Sequence, residues 1–183
     1  MKKPKLILLI LCFSFVCLTC FGAGFTIGVE AGYFFPDDED FSDIYGSAPV
    51  FGLNAGYCVG ENLQIILGGN IYSKSGTTTI SGETIELSIL TFRFGGYYLF
   101  KMESITPKVG AGIAYASVDE ETPFGDFSDS AIGWFAAGGL DIPFGKILTG
   151  GVEVQYSDIS IKGDFGDQSV GGLSILAIVR IEI

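Results

Sequence analysis

The segment FTIGVEAGYFF, residues 25–35, sorts its side chains by parity. Phe25, Ile27, Val29, Ala31, Tyr33 and Phe35 take the odd positions and are all apolar. Thr26, Gly28, Glu30 and Gly32 take the even ones, interrupted by Phe34 alone. Successive side chains of a strand point to opposite faces, so this pattern makes one apolar face and one small or polar face. Glycine every few residues also argues against a helix, where each one costs up to about 1 kcal/mol relative to Ala.

The same alternation recurs along the chain. Residues 51–59 set Phe51, Leu53, Ala55, Tyr57 and Val59 against Gly52, Asn54, Gly56 and Cys58. Residues 63–72 continue it, with Ile66 as an exception. The fourth segment changes phase: Ile85, Leu87 and Ile89 share one parity, while Phe92, Phe94, Tyr98 and Phe100 share the other, with Arg93 between. A bulge near Ile89-Leu90 would reconcile them. Residues 108–115, 133–142, 148–157 and 173–183 complete a set of eight strands of about ten residues, a length that crosses a bilayer when tilted. Connections alternate between short (60–62, 101–105, 143–146) and long (36–49, 74–84, 119–130, 158–168). The fold class expected is all-β: an eight-stranded antiparallel up-and-down transmembrane β-barrel.

The start of the chain reads differently. Lys2, Lys3 and Lys5 precede an apolar run from Leu6 to Phe21, with small residues following. That run is short for a spanning helix, so residues 1–22 are expected to be a signal peptide and 23–183 the barrel domain. Acylation at Cys20 is the alternative. Cleavage would remove three of the four cysteines and leave Cys58, which has no internal disulfide partner. It would also leave seven basic against 21 acidic residues, a charge of −14. That balance is hostile to nucleic acid, which rewards Lys and Arg on its phosphates.

The stretches KVGAGIAYAS (108–117), IGWFAAGGLDIPF (132–144) and GGVEVQYSD (150–158), with the closing LSILAIVRIEI (173–183), resemble strands of the small outer-membrane barrels of the OmpA/OmpX type. The resemblance runs over everything after the leader, although the final residue is Ile183 where such strands usually end in an aromatic. It implies an outer-membrane location with both termini periplasmic. It also implies contact with outer-membrane lipid and lipopolysaccharide, and insertion by the barrel-assembly machinery. It speaks to architecture more than to activity.

An eight-stranded barrel is just wide enough for side chains to fill it. On the inward parity lie Glu30, Glu153 and Glu182 with Arg93, Lys108 and Arg180. Ionisable groups at membrane depth pair with one another or mark a conducting path. The expected reading is a structural charge network of Glu30, Arg93, Lys108, Glu153 and Arg180; a gated polar pathway is the other. Inward glycines at 28, 32, 52, 56, 110, 112 and 151 are expected to make room for these long side chains. With no histidine in the chain, Ser-His-Asp and Cys-His chemistry has no general base, and imidazole metal sites are absent. No enzyme and no cofactor are expected.

The long connections hold fourteen acids against Lys74 and Lys162. Acidic oxygens attract hard divalent cations, yet no run has calcium-loop spacing. Divalent cations at these loops therefore stand as a possible partner and not as a defined site. Tyr33, Tyr57, Tyr97, Tyr98, Tyr115, Trp134 and Tyr156 are expected to form interfacial girdles. Together these features suggest a non-enzymatic outer-membrane barrel that supports the envelope or presents acidic loops. A narrow transport barrel for small or hydrophobic solutes is the alternative, and a membrane-embedded enzyme a more distant one.

Overall fold

The computed structural model describes residues 24–77, 84–122, 125–163 and 166–183. The expected leader and the loop tip at Gly82 lie outside the described residues. In chain order the elements are β1 (Phe25–Pro36), α1 (Glu39–Ile44), β2 (Ala48–Val59), β3 (Leu63–Thr77), β4 (Thr84–Leu99), β5 (Thr106–Thr122), β6 (Gly125–Phe144), β7 (Leu148–Asp158), β8 (Ser160–Gly163), β9 (Gly166–Ser169) and β10 (Gly172–Glu182). Eight of them, β1 to β7 and β10, close into one antiparallel barrel in which each strand pairs with its neighbours in that order. Closure falls between β1 and β10, with Val29 opposite Val179. β8 and β9 form a separate two-stranded sheet in the connection between β7 and β10.

Parity decides orientation along every barrel strand. On β1, Ile27, Val29, Tyr33 and Phe35 are exposed on the outer wall while Thr26 and Glu30 are buried. Phe51, Leu53, Leu67, Ile113, Val152 and Ile175 extend the apolar outer surface around the barrel. A closed barrel satisfies its own backbone hydrogen bonds, which is what a strand protein must do to sit in hydrocarbon. No helix among the described residues is long and apolar enough to cross a membrane.

The register corrects the expected bulge. β3 and β4 pair without a slip from Leu63–Tyr98 to Thr77–Thr84, so β4 keeps one phase throughout. Leu87, Ile89, Arg93, Tyr97 and Leu99 all point inward. The phase change lies in the chemistry of the interior, which turns apolar toward the long-loop end. There Phe34, Val50, Tyr72, Leu87, Ile89 and Val118 join Phe41 of α1 and Tyr45, which follows it, in one buried cluster. The two apparent exceptions in parity, Phe34 and Ile66, are likewise buried inside. Phe34 meets the Tyr72 ring edge-on at 5.4 Å.

The long connections are not simple loops. α1 sits in the first, capped by Asp38, whose Oδ1 accepts the Phe41 N–H at 2.9 Å. The third is a continuation of the β5–β6 ladder up to Thr122 opposite Gly125. β6 has 20 residues, which at about 3.3 Å per residue far exceeds the hydrocarbon thickness even when tilted. β3 to β6 therefore rise as a four-stranded wall above the other strands. Opposite them, turns through Gly60 (φ 75°) and Gly145 (φ 88°) need the left-handed backbone that glycine adopts without strain.

Candidate functional site: the interior charge network

Arg93 is the hub of the barrel interior. Its guanidinium pairs with Glu30 Oε1 and donates to Gln155 Oε1, and Nη1 lies 3.8 Å from Glu153 Oε1. Asn54 Nδ2 donates to the other Glu30 oxygen at 3.1 Å. Lys108, the most enclosed long side chain, holds Nζ 2.9 Å from Glu153 Oε2 and 3.1 Å from Asp141 Oδ1. It also sits 5.2 Å from the centroid of the Tyr97 ring. The Tyr97 hydroxyl donates to Glu153 Oε1 at 2.9 Å. Arg180 closes the set, with Nη1 2.7 Å from Asp141 Oδ2 and Nε donating to Asn54 Oδ1 at 3.2 Å.

Five strands thus bring Glu30, Arg93, Lys108, Glu153 and Arg180 into one buried group. β6 adds Asp141, making three acids and three bases with no formal net charge. Asp141 lies on the inward parity between Gly139 and Pro143, and that parity was the signal that could have placed it in the group. Tyr97 is a correction to the expected girdle: it shares the parity of Arg93 and is buried inside. Glu182 keeps the inward parity but stands outside the buried group: it lies exposed at the barrel mouth, lining the space near the termini and accepting from Thr149 Oγ1 at 3.3 Å. The other six aromatics placed in the girdle do face outward, with the Trp134 and Tyr156 rings tilted against each other at 5.7 Å.

Space is set by the inward glycines. A Cβ on Gly28 would meet Arg180, one on Gly52 would meet Glu30, and one on Gly151 would meet Asp141. Each of these also faces a carbonyl of the neighbouring strand, and at Gly32 and Gly112 that carbonyl is the nearest atom, 1.9 and 2.2 Å from a Cβ. Gly112 and Gly95 together receive the ring of Phe135, which is wholly buried.

The interior is tightly filled. The gap around Glu30, Arg93 and Glu153 is about 10 Å³, and that between Phe34, Asn70, Ile89 and Gln155 about 20 Å³. One water needs roughly 10–15 Å³ on this measure. Toward the termini the barrel opens into a vestibule of about 490 Å³ lined by Thr26, Cys58, Gln64, Asp141 and Arg180.

Many loop acids are engaged structurally. Asp37 accepts from the Tyr156 hydroxyl and from Ser169 Oγ, each at 2.9 Å. Asp158 accepts from Trp134 Nε1 at 3.1 Å, and Glu120 from the Tyr45 hydroxyl at 2.9 Å. Among the described residues no group of three or more Cys, Asp or Glu side chains is gathered as a metal ion would need.

A closed eight-stranded barrel with an apolar outer wall and a salt-bridged interior defines a small outer-membrane barrel. The outer membrane protein beta-barrel domain family matches residues 9–175, and the chain belongs to that family. Its location is therefore the cell outer membrane, with its outer wall in contact with lipid. Among solved structures it is similar to Neisserial surface protein A, with 18% identity and a TM-score of 0.71 over 89% of this chain and 100% of that one. It is also similar to the N-terminal β-barrel domain of Pseudomonas aeruginosa OprF, with 13% identity and a TM-score of 0.56 over 89% and 100%. A third is Ail, the attachment invasion locus protein of Yersinia pestis, in complex with the heparin analogue sucrose octasulfate, with 12% identity and a TM-score of 0.53 over 87% and 96%. At these identities the likeness is one of fold. No curated protein sequence matches the chain significantly.

Proposed function

We propose that this protein is a sealed, non-enzymatic barrel that anchors a structured, acid-rich surface at the outer membrane for envelope support or surface interaction. The observation that carries this is the filling of the interior. A neutral network of six charged side chains and, above it, an apolar cluster leave gaps of only about 10 and 20 Å³. A transport path for small solutes would need to breach both. The chain also has no histidine to serve as a general base near neutral pH.

In this reading the leader 1–22 is removed, the barrel-assembly machinery inserts the remaining chain, and both termini with the short turns face the periplasm. The long-loop end then faces outward. Its acids are of the sign that repels a sulfated sugar such as the one bound by Ail, so its partners are divalent cations or basic surfaces. Planar-bilayer recording of the refolded protein tests the sealed interior. No stable unitary conductance is expected; reproducible steps in the unmodified protein would replace this reading with the transport barrel.

A further inference from the structure

The vestibule near the termini separates a neutral floor from a charged mouth. On the floor, Arg180 Nη1 donates to Asp141 Oδ2 at 2.7 Å and Gln64 Nε2 donates to Thr26 Oγ1 at 3.3 Å, all four side chains being buried. Arg180 and Asp141 offset each other, so the floor offers hydrogen bonds and little net charge. The mouth carries Lys101 and Glu182, both exposed and both lining the same space. Among the described residues neither forms a salt bridge. Lys101 follows the end of β4, and Glu182 ends β10. Those strands are four apart in either direction round the closed ring of eight. A cation and an anion therefore stand on opposite sides of the mouth.

We infer that this vestibule binds a zwitterionic dipeptide, with its carboxylate at Lys101 and its ammonium at Glu182. The volume of about 490 Å³ falls in the range of small-molecule sites, and a barrel of eight strands can hold one small ligand. Length selects the occupant. Eight strands about 4.8 Å apart and tilted by about 40° close a ring roughly 16 Å across. Two residues span about 7 Å, and a charged hydrogen bond of about 2.8 Å at each end brings the total to about 13 Å. The Lys101 and Glu182 side chains, leaning in from the ring, cover the rest. Three residues would need the full width and leave those side chains no room. A free amino acid has no peptide group, whereas Gln64 has a carbonyl and a second N–H with which to meet one.

The inference rests on the orientation proposed above only for the compartment that supplies the peptide, the periplasm. Binding is read on purified protein, so its failure would leave topology and sealing untouched, and a conducting barrel would leave the vestibule in place. Cys58 lines the same space and reports occupancy. The protein, refolded in detergent micelles, is alkylated with iodoacetamide, and labelling at Cys58 is timed by peptide mass spectrometry. Alanyl-alanine is expected to slow that labelling in a saturable way. N-acetyl-alanyl-alanine lacks the ammonium and alanyl-alanine amide lacks the carboxylate. Each should need about three- to fivefold more peptide for the same protection, the scale of an exposed ion pair. Lys101→Gln should abolish the preference for a free carboxylate and keep that for a free ammonium; Glu182→Gln should do the reverse. Each variant is compared with its own peptide-free rate, after a heat-modifiable gel shift shows a folded barrel. No protection by alanyl-alanine, or equal protection by all three forms, would overturn the site. So would preferences that both variants leave intact. Equal protection by free alanine would overturn the dipeptide as its occupant.

Discussion

Lys108 places its ammonium 2.9 Å from Glu153 Oε2, and neither side chain is more than 2% exposed. The pair joins β5 to β7 across β6, and Asp141 of β6 leans into the same ammonium. A charge enclosed in this way is tolerable only while its partners remain, because leaving one ion buried alone is far costlier than the pair is favourable.

Replacing Lys108 by Met should therefore destabilise the barrel by about 3–5 kcal/mol. Arg93→Leu, which strands Glu30, should behave alike. Urea unfolding in detergent, followed by Trp134 fluorescence, reads both. Adding Glu153→Gln to Lys108→Met should recover part of the loss. A coupling below about 0.5 kcal/mol would mean that this pair does not hold the interior together.

Gly112 offers a steric test independent of charge. A Cβ there meets the Phe94 carbonyl and the Phe135 ring, and the carbonyl belongs to a laddered strand that has little freedom to move. Gly112→Ala should cost roughly 1–3 kcal/mol, the range of overpacked cores. Gly96→Ala, which faces more open space with its nearest neighbour at 3.7 Å, should be close to neutral. Comparable losses at both positions would show that close strand approach is not the cause.

α1 is tied to the wall by the Tyr45 hydroxyl, which donates to Glu120. Burial first, then that hydrogen bond, pushes the Tyr45 pKa above its ordinary 10.0. A folded value raised above the unfolded one gives stability that is complete below the unfolded value and is lost as pH rises through the folded one. The α1 contact should thus persist at pH 10, where exposed tyrosines ionise. Absorbance titration near 295 nm should show a late component that Tyr45→Phe removes. The same variant should raise hydrogen exchange of α1 amides by about fivefold, matching about 1 kcal/mol for a lost hydrogen bond. Unchanged exchange would detach α1 from the wall.

Topology is read by single cysteines in a Cys58→Ser background. With the long-loop end outside, cysteine at 38 or 125 should react with an impermeant reagent on intact cells. Cysteine at 62 or 145 should react only after lysis. Labelling at 62 or 145 on intact cells would invert the barrel and remove the surface reading with it.

Parity along each strand was legible from residues alone. Alternation of Ile27 with Gly28 and of Val29 with Glu30 settles which side chains share a face, because a strand has a period of two whatever surrounds it. That same rule puts Glu30, Arg93, Lys108, Glu153 and Arg180 on one side; Asp141 shares the parity and was left out of the expected group. Parity carries no height, however. Only closure of the barrel decided that Arg93 meets Glu30 and that Lys108 meets both Glu153 and Asp141, since those meetings depend on stagger between strands. Nor does alternation say whether an inward position is wet. Leu87 and Ile89 looked like a phase error because a barrel interior was read as polar throughout. Their place inside is stable because Phe41 of α1 and its capping Tyr45, with Val118 of the wall, enclose them. Tyr97 looked like a girdle residue for the same reason, and the structure instead gives its hydroxyl to Glu153. Alternation along the strands is enough for two faces and a closed sheet; where the inner face is charged and where it is apolar follows from the packing, because enclosure is a property of the elements that close over it.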